Sequence, residues 1–211
     1  MNLGIWDDVL RLIGLNHESV SMHKLNQLWI DSVRTSVAGY RNVIDSAIRQ
    51  LSDEEFFAIP ADGVNSAAVV IRHLAGNLTS RWTDYLTTDG EKPNRHRDTE
   101  FDAWDGDRAS LMEYFESGWQ CLIDAIDSLD DDTVTQTIQI RGEDHSVPEA
   151  MTRSVNHLAY HVGQIMVIAR MVHTGEWKWL TIAPGASDDH NKRTWGTSAA
   201  RSAYGQSGPG Q

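Results

Sequence analysis

Residues 146–173 have the sequence SVPEAMTRSVNHLAYHVGQIMVIARMVH, and this stretch decides the fold. Ser146-Val-Pro-Glu149 combines a capping serine, a proline in the first turn and a glutamate three residues after the serine, which is typical of a helix start. Apolar residues then recur every three or four positions along one side. They are Met151, Val155, Leu158, Val162, Ile165, Ala169 and Val172. The pattern predicts one long amphipathic helix over residues 146–173.

Three earlier stretches have the same periodicity, so the sequence predicts a four-helix bundle. We expect the first helix over residues 25–51, the second over about 65–87 and the third over about 107–129. Helices of this length must bury their apolar sides against one another. The predicted fold class is therefore all-α.

The connections between these helices carry patterns of their own. Ser52-Asp-Glu-Glu55 is a capping box and predicts a short helical turn after the first helix. Residues from Asp89-Gly90 to about 106 are polar and lack periodicity, which predicts a long connection able to cross between two parallel helices. Alternating apolar and polar residues over 134–140, followed by the turn-like Arg141-Gly-Glu-Asp144, predict a small β-hairpin before the fourth helix.

The two ends of the chain differ from this central part. Residues 1–20 include a short amphipathic segment, which we expect to dock on the bundle or on a partner. From Lys192 onwards the chain is rich in Ser, Gly and Ala and has little to bury, which is typical of disorder. We therefore assign residues 1–191 to a single domain and residues 192–211 to a disordered tail.

Composition excludes several classes of function. Acidic residues outnumber basic residues by 30 to 18, and a net charge of −12 repels nucleic-acid phosphates and anionic membrane surfaces. The longest apolar stretch, residues 165–172, is interrupted by Arg170 and is far too short to span a bilayer. The N-terminus lacks the pattern of a signal peptide, so we expect a cytoplasmic protein. Cys121 is the single cysteine, which excludes a disulfide within the chain and every multi-cysteine zinc site.

Three histidines are the candidate metal ligands. His157 and His161 are four residues apart on the fourth helix, so their rings project from the same face and can share one ion. His73 lies to one side of the apolar face of the second helix, and the pair lies similarly on its own helix. Residues in such flanking positions can meet across the seam of a bundle. The pair lacks the adjacent glutamate of the H-E-x-x-H motif, which excludes that class of metalloprotease.

Polar residues follow the same stripes as these histidines. Asn77 and Arg81 come four and eight residues after His73, Arg153 comes four residues before His157, and Gln164 comes three residues after His161. Buried polar groups are costly unless they have partners, so one interpretation is a ligand-binding cleft between the two helices. The alternative is that Arg81 pairs with surface groups and that carbonyls or water satisfy the histidines.

Several of these segments also resemble a known family. Residues 71–93 (IRHLAGNLTSRWTDYLTTDGEKP), 140–143 (IRGE) and 156–164 (NHLAYHVGQ) are similar to the DinB-like superfamily, and more narrowly to a subfamily known as a domain of unknown function. The similarity covers about residues 22–191. It implies a four-helix bundle in up-down-down-up order, often a homodimer, that holds a divalent metal ion. The ligands implied for this chain are His73, His157 and His161.

The resemblance also implies an activity. Some relatives join low-molecular-weight thiols to small electrophiles, or isomerise small acids in a thiol-dependent way, so the expected function is that of a metal-dependent, thiol-dependent transferase acting on small molecules. Three imidazoles leave coordination positions for a thiolate or a water, and they accept nickel, zinc, iron or manganese. In this hypothesis Arg81 and Arg153 receive an anionic substrate group, while Asn77 or Gln164 orients a ligand or a water.

The alternative hypothesis is a non-catalytic dimeric bundle with a structural or stress-related role. The two hypotheses differ in the site that they require. An enzyme needs an open coordination position and a cleft, whereas a structural metal site is closed by a fourth protein ligand. The sequence offers no fourth ligand.

Overall fold

The computed structural model describes residues 22–195 and contains the predicted four-helix bundle. Its long helices are α1 (Met22–Ile48), α3 (Ala67–Trp82), α4 (Arg108–Asp127) and α5 (Val147–Val172). Two short helices, α2 (Asp53–Phe57) and α6 (Ser187–Thr194), accompany them. The predicted hairpin is present as the antiparallel strands β1 (Thr137–Ile140) and β2 (Glu143–Ser146).

Some sequence predictions fall outside residues 22–195. The amphipathic segment expected to dock lies outside the described residues, and so do residues 196–211 of the expected tail. Residues 192–194 of that tail form the last turn of α6. Within the part of the chain that the structure describes, none of the helices has the length and apolar character needed to cross a bilayer.

Side-chain contacts establish the direction of each bundle helix. Successive α1 residues meet earlier parts of α4: Arg34 pairs with Asp127, and Arg41 pairs with Glu116, so these helices are antiparallel. Between α3 and α4, later residues of one helix meet later residues of the other. Gly76 lies against Tyr114, and Thr83, just after α3, donates to the sulfur of Cys121. These two helices are therefore parallel.

The last pair of helices completes the order. His73 contacts His157, while Trp82 donates to the hydroxyl of Ser154 (Nε1–Oγ 3.1 Å), so α3 and α5 are antiparallel. The bundle therefore runs up-down-down-up, and the connection from α3 to α4 is the predicted crossover between parallel helices.

Two predicted boundaries are wrong. The second predicted helix extended to residue 87, but α3 ends at Trp82 because Thr83 is extended and Asp84 has a left-handed φ of 47°. Tyr85 is buried as expected, yet it lies in the turn and its hydroxyl contacts that of Ser128. The period-two pattern began at residue 134, whereas residues 133–135 form a 3₁₀ turn and β1 begins only at Thr137.

The turn of the hairpin is fixed to the segment that follows α3. Asp89 accepts hydrogen bonds from the backbone N–H groups of Arg141 (2.8 Å) and Gly142 (2.7 Å). Both turn residues have positive φ, 57° and 73°, a combination typical of a two-residue hairpin turn. Gly90 adds a backbone hydrogen bond to Gln139. The hairpin and this segment therefore form one wall beside α3 and α5.

Close packing of α3 on α4 depends on Gly118. A Cβ atom at this position would lie 2.5 Å from the backbone oxygen of Ala75, which cannot move without bending α3. We expect Gly118→Ala to lower the free energy of unfolding by about 1–3 kcal/mol, although alanine favours helix. Urea denaturation measures this effect. Gly163→Ala is the matched control, because Gly163 lies in α5 with open space around it and the change should stabilise. Equal stabilisation of both variants would contradict the close contact.

The capping box predicted at residues 52–55 is present and also fixes the end of α5. The Glu55 carboxylate accepts hydrogen bonds from the backbone N–H of Ser52 and of Thr174, from the His173 ring and from the Thr174 hydroxyl. These hydrogen bonds lower the pKa of Glu55 to about 2, and the bond from the Ser52 backbone has the largest effect. A carboxylate with a lowered pKa stabilises the fold above its unfolded-state pKa.

This carboxylate gives a pH prediction. The stabilisation from Glu55 should be complete above about pH 4.5 and disappear as the pH falls towards 2. Glu55→Gln should therefore melt at a lower temperature than the wild type at pH 7, and the difference should narrow once the pH is below about 4.5. Thermal melts followed by circular dichroism at several pH values measure the difference. A gap in melting temperature that is constant with pH would contradict the assignment.

Candidate metal centre

Three histidine rings converge where α3 faces α5. The Nε2 atom of His157 lies 3.2 Å from Nε2 of His73 and 3.0 Å from Nε2 of His161. His73 and His161 are buried, with 5% and 8% of their surface exposed, and His157 is half-buried. Within the described part of the chain, these three residues form the only group of His, Cys, Asp or Glu with its ligand atoms close enough to share one ion.

On two of the three rings, those of His73 and His161, a hydrogen bond fixes the other ring nitrogen, Nδ1. His73 donates from Nδ1 to the Glu100 carboxylate (2.8 Å), and His161 donates from Nδ1 to the side-chain oxygen of Gln164 (2.7 Å). A proton on Nδ1 leaves Nε2 of a neutral imidazole as an acceptor. The Nε2 lone pairs of His73 and His161 therefore point towards the space that they share with His157.

Glu100 reaches His73 from the long connection before α4. Its side chain is 7% exposed and also accepts two hydrogen bonds from Arg95, at 2.8 and 3.0 Å. Burial opposes its ionisation, but the bonds from His73 and Arg95 outweigh burial and lower the pKa of Glu100. A Cβ atom on Gly76 would overlap this carboxylate, so the glycine allows Glu100 to lie against α3.

The three rings fit a divalent metal ion. Two imidazole nitrogens that share an ion at 2.0–2.1 Å lie roughly 3.0–3.4 Å apart, and both measured separations fall in this range. Carboxylate and amide acceptors behind ligand histidines are typical of metal sites, because they fix the ring and its tautomer. Nε2 of His157 can donate a hydrogen bond to one of these acceptors or, with its proton on Nδ1, can join them as a third metal ligand. The geometry thus matches the predicted ligands His73, His157 and His161.

Burial keeps two of these rings neutral. Loss of hydration, followed by the proximity of His161 and His73, lowers the pKa of His157 to about 3. The pKa of His161 falls to about 4, mainly through burial and then through His73. Both rings are therefore uncharged at neutral pH, which is the form that binds a metal ion.

A cleft of about 280 Å³ opens beside the histidines along the seam of α3 and α5. Its volume is at the small end for ligand sites, which suits a small molecule. His73 and His157 line one part of it, and Asn77, Ala150 and Ser154 line its sides. Five arginines also line this cleft: Arg81, Arg95, Arg97, Arg141 and Arg153.

The sequence-predicted polar residues occupy two different places. Asn77, Arg81 and Arg153 line the cleft, as the ligand-binding interpretation requires. Gln164 is not among its lining residues, because its side chain lies behind His161 and also donates to the hydroxyl of Tyr160. Arg81 is 8% exposed, and no residue of the described chain offers it a carboxylate partner. Within residues 22–195, Arg81 therefore forms no ion pair with a surface group.

Sequence reasoning missed Glu100, and it gave the arginines of the connection and the hairpin no ligand-binding role. Arg95 and Glu100 belong to a segment without periodicity, and Arg141 lies in a turn. The direction of their side chains therefore cannot be predicted from the spacing of residues along a helix. The only local signal was Gly76, a glycine within a helix, which often indicates close approach of another group. Phe101, from the same connection, stacks on the His73 ring at 5.1 Å between centroids.

Comparison with known proteins identifies one family. The model of a family described as "Protein of unknown function (DUF1572)" matches residues 24–186, which is most of the chain and includes every residue of the site. No curated protein and no solved structure matches the chain.

Proposed function

The chain belongs to the family described as Protein of unknown function (DUF1572), and we propose from the geometry of its site that it is a metal-dependent enzyme acting on a small molecule. The observation that carries this proposal is the convergence of three Nε2 atoms at 3.0 and 3.2 Å beside an open cleft. The up-down-down-up order and the retained histidines support the further proposal of a relationship to the DinB-like superfamily.

The residues of the chain have separate tasks in this proposal. His73, His157 and His161 hold the ion, which we propose to be nickel, zinc, iron or manganese. When bound, a divalent ion would supply a Lewis acid that lowers the pKa of a thiol or a water. Glu100 and Gln164 keep His73 and His161 in the tautomer that offers Nε2. The stacked ring of Phe101 covers one face of His73 and keeps water away from that side.

The cleft favours an enzyme over a structural metal site. A structural site requires a fourth protein ligand, and within residues 22–195 no further His, Cys, Asp or Glu joins the three histidines. The cleft provides access to the histidines from solvent, and its small volume suits a low-molecular-weight thiol or electrophile. We therefore propose a thiol-dependent transferase, with the non-catalytic bundle as the alternative.

The test uses the full-length protein, purified without a histidine tag and loaded with cobalt(II). If the site is open, 2-mercaptoethanol should change the visible spectrum of the cobalt-loaded protein, and a panel of low-molecular-weight thiols should react faster with 1-chloro-2,4-dinitrobenzene when the loaded protein is present. A spectrum that no thiol changes, together with unaccelerated conjugation, would favour a closed site with a structural role.

We also propose that the protein is a homodimer. Tyr160, Val167 and Met171 are more than half exposed, and their spacing places them on one stripe of α5. Leu25 and Leu28 are similarly exposed on α1. Exposed apolar side chains grouped in this way are typical of an association surface. Light scattering after size-exclusion chromatography should give twice the mass of the chain, and a Val167→Asp, Met171→Asp variant should give a monomer.

A further inference from the structure

Five arginines and, among the described residues, no carboxylate line the cleft beside the histidines, so its lining is strongly positive. Arg95 is paired with Glu100 and Glu91, and Arg141 is paired with Glu91 (3.0 Å). Arg81 and Arg153 have no carboxylate partner among residues 22–195; the nearest polar contact of Arg153 is His145, at 3.5 Å. Two guanidinium groups without an ion pair among the described residues give the cleft a local positive charge in a chain of net charge −12.

Of these two arginines, Arg81 is the stronger indication of an anion-binding site. Its side chain is 8% exposed, and its Nη1 atom is buried without a hydrogen-bond partner in the described chain. Loss of hydration, followed by repulsion from Arg153, lowers the pKa of Arg81 to about 10, so it stays charged at neutral pH. A buried, charged and unpaired arginine is costly to the fold, and a ligand that supplies the missing negative charge removes that cost.

The surrounding backbone is shaped to hold this side chain. A Cβ atom on Gly90 would lie 2.8 Å from Nη1 of Arg81, so the guanidinium packs directly against this glycine. Gly90 is itself held by its hydrogen bond to Gln139. Arg81 lines the cleft together with Asn77 and His73, which lie four and eight residues earlier on α3. Arg81 and the histidines His73 and His157 therefore border the same space.

We propose that Arg81 and Arg153 bind the anionic end of the substrate, a group or pair of groups carrying two negative charges, while the other end of the substrate lies at the three histidines. That the bound anion is a substrate rests on the proposed function, whereas the anion-binding site itself is inferred from the arginines alone. Two guanidinium groups suit the oxygens of a phosphate monoester or of a dicarboxylate. Both arginines line the same small cleft as His73 and His157.

The test is calorimetric titration of the full-length protein with inorganic phosphate and, separately, with succinate. We expect wild-type protein to bind one of them and both Arg81→Met and Arg153→Met to bind it at least about tenfold more weakly. Preference for phosphate identifies a tetrahedral dianion, and preference for succinate identifies a dicarboxylate. Arg49→Met removes the same charge from an exposed position of the chain outside the cleft, and it should bind as the wild type does.

The titrations are made on metal-free and metal-loaded protein, with metal content measured for every variant. Binding that survives in metal-free wild-type protein and is lost in the arginine variants supports the anion site even if the metal proposal fails. Wild-type protein that binds neither anion in either form would overturn the inference, and so would arginine variants that bind as tightly as the wild type. Arg153 is exposed, so Arg153→Met gives a folded variant even if Arg81→Met does not.

Discussion

Replacing His157 and His161 together by alanine should abolish metal binding. Wild-type protein, purified without a tag, should carry about one divalent ion per chain, and the double variant should carry almost none, because only one of three ligands remains. Elemental analysis of protein dialysed against each candidate ion measures the ratio. Circular dichroism should show the same helix content in both proteins, since the bundle core lies mainly among apolar residues.

The matched control is His145→Ala. His145 has the same exposure as His161, 8%, but lies on β2 outside the histidine cluster and bonds the backbone oxygen of Glu143. This variant should retain the wild-type metal content. A double variant that keeps its metal would place the ion elsewhere. If wild-type protein takes up no nickel, zinc, iron or manganese, the three histidines have a structural role and do not bind a metal ion.

Replacing Glu100 should weaken both the metal site and the fold. Glu100→Gln keeps a side-chain oxygen for His73 but removes the charge, and we expect metal affinity to fall by about 10- to 100-fold, the range seen when a partner of a ligand histidine is changed. Competition with a chromophoric chelator measures this affinity. Gln164→Leu, which removes the acceptor behind His161, should weaken binding in the same way.

Glu100→Ala should also destabilise the bundle. Arg95 is 5% exposed, and without Glu100 only the longer contact to Glu91 (3.4 Å) remains within the described chain. Breaking a buried ion pair on one side costs about 3–5 kcal/mol, because the other charge stays buried. Urea denaturation of the metal-free proteins separates this effect from metal loss. Glu113→Ala, at an exposed position of α4, should change the free energy of unfolding by less than about 0.5 kcal/mol. Equal effects of the two changes would contradict the role of Glu100.

Local patterns in the sequence predicted the helices and their starts well. The capping box at Ser52 and Glu55 and the start of α5 at Ser146 are both present, because each signal involves side chains within three residues of a helix end. Ends of helices were predicted less well. Tyr85 fits the apolar side of a continued helix, yet it is buried from a turn, because burial alone does not distinguish the two backbone conformations.

The candidate site was predicted in part. His157 and His161 share a face by helical geometry alone, and helical phase placed Asn77, Arg81 and Arg153 on the same seam. His73 was predicted from its flanking position on the second helix, and the resemblance implied the same ligand. Gln164 was given a role towards a ligand, whereas its oxygen contacts His161; whether it also touches a substrate stays a prediction.

By itself, the sequence determined the amphipathic helices, the hairpin, the long connection before the third bundle helix and the stripes on which the histidines lie, because each depends on residues a few positions apart. Only the tertiary structure decided that the three Nε2 atoms meet, that Glu100 supports His73 from 27 residues away, and that Nη1 of Arg81 is buried without a partner among residues 22–195. These facts depend on how α3 and α5 pack and on the path of the connection between α3 and α4. Contacts between distant segments leave no periodic trace in either segment, so the chemistry of the site emerges only when the chain is folded.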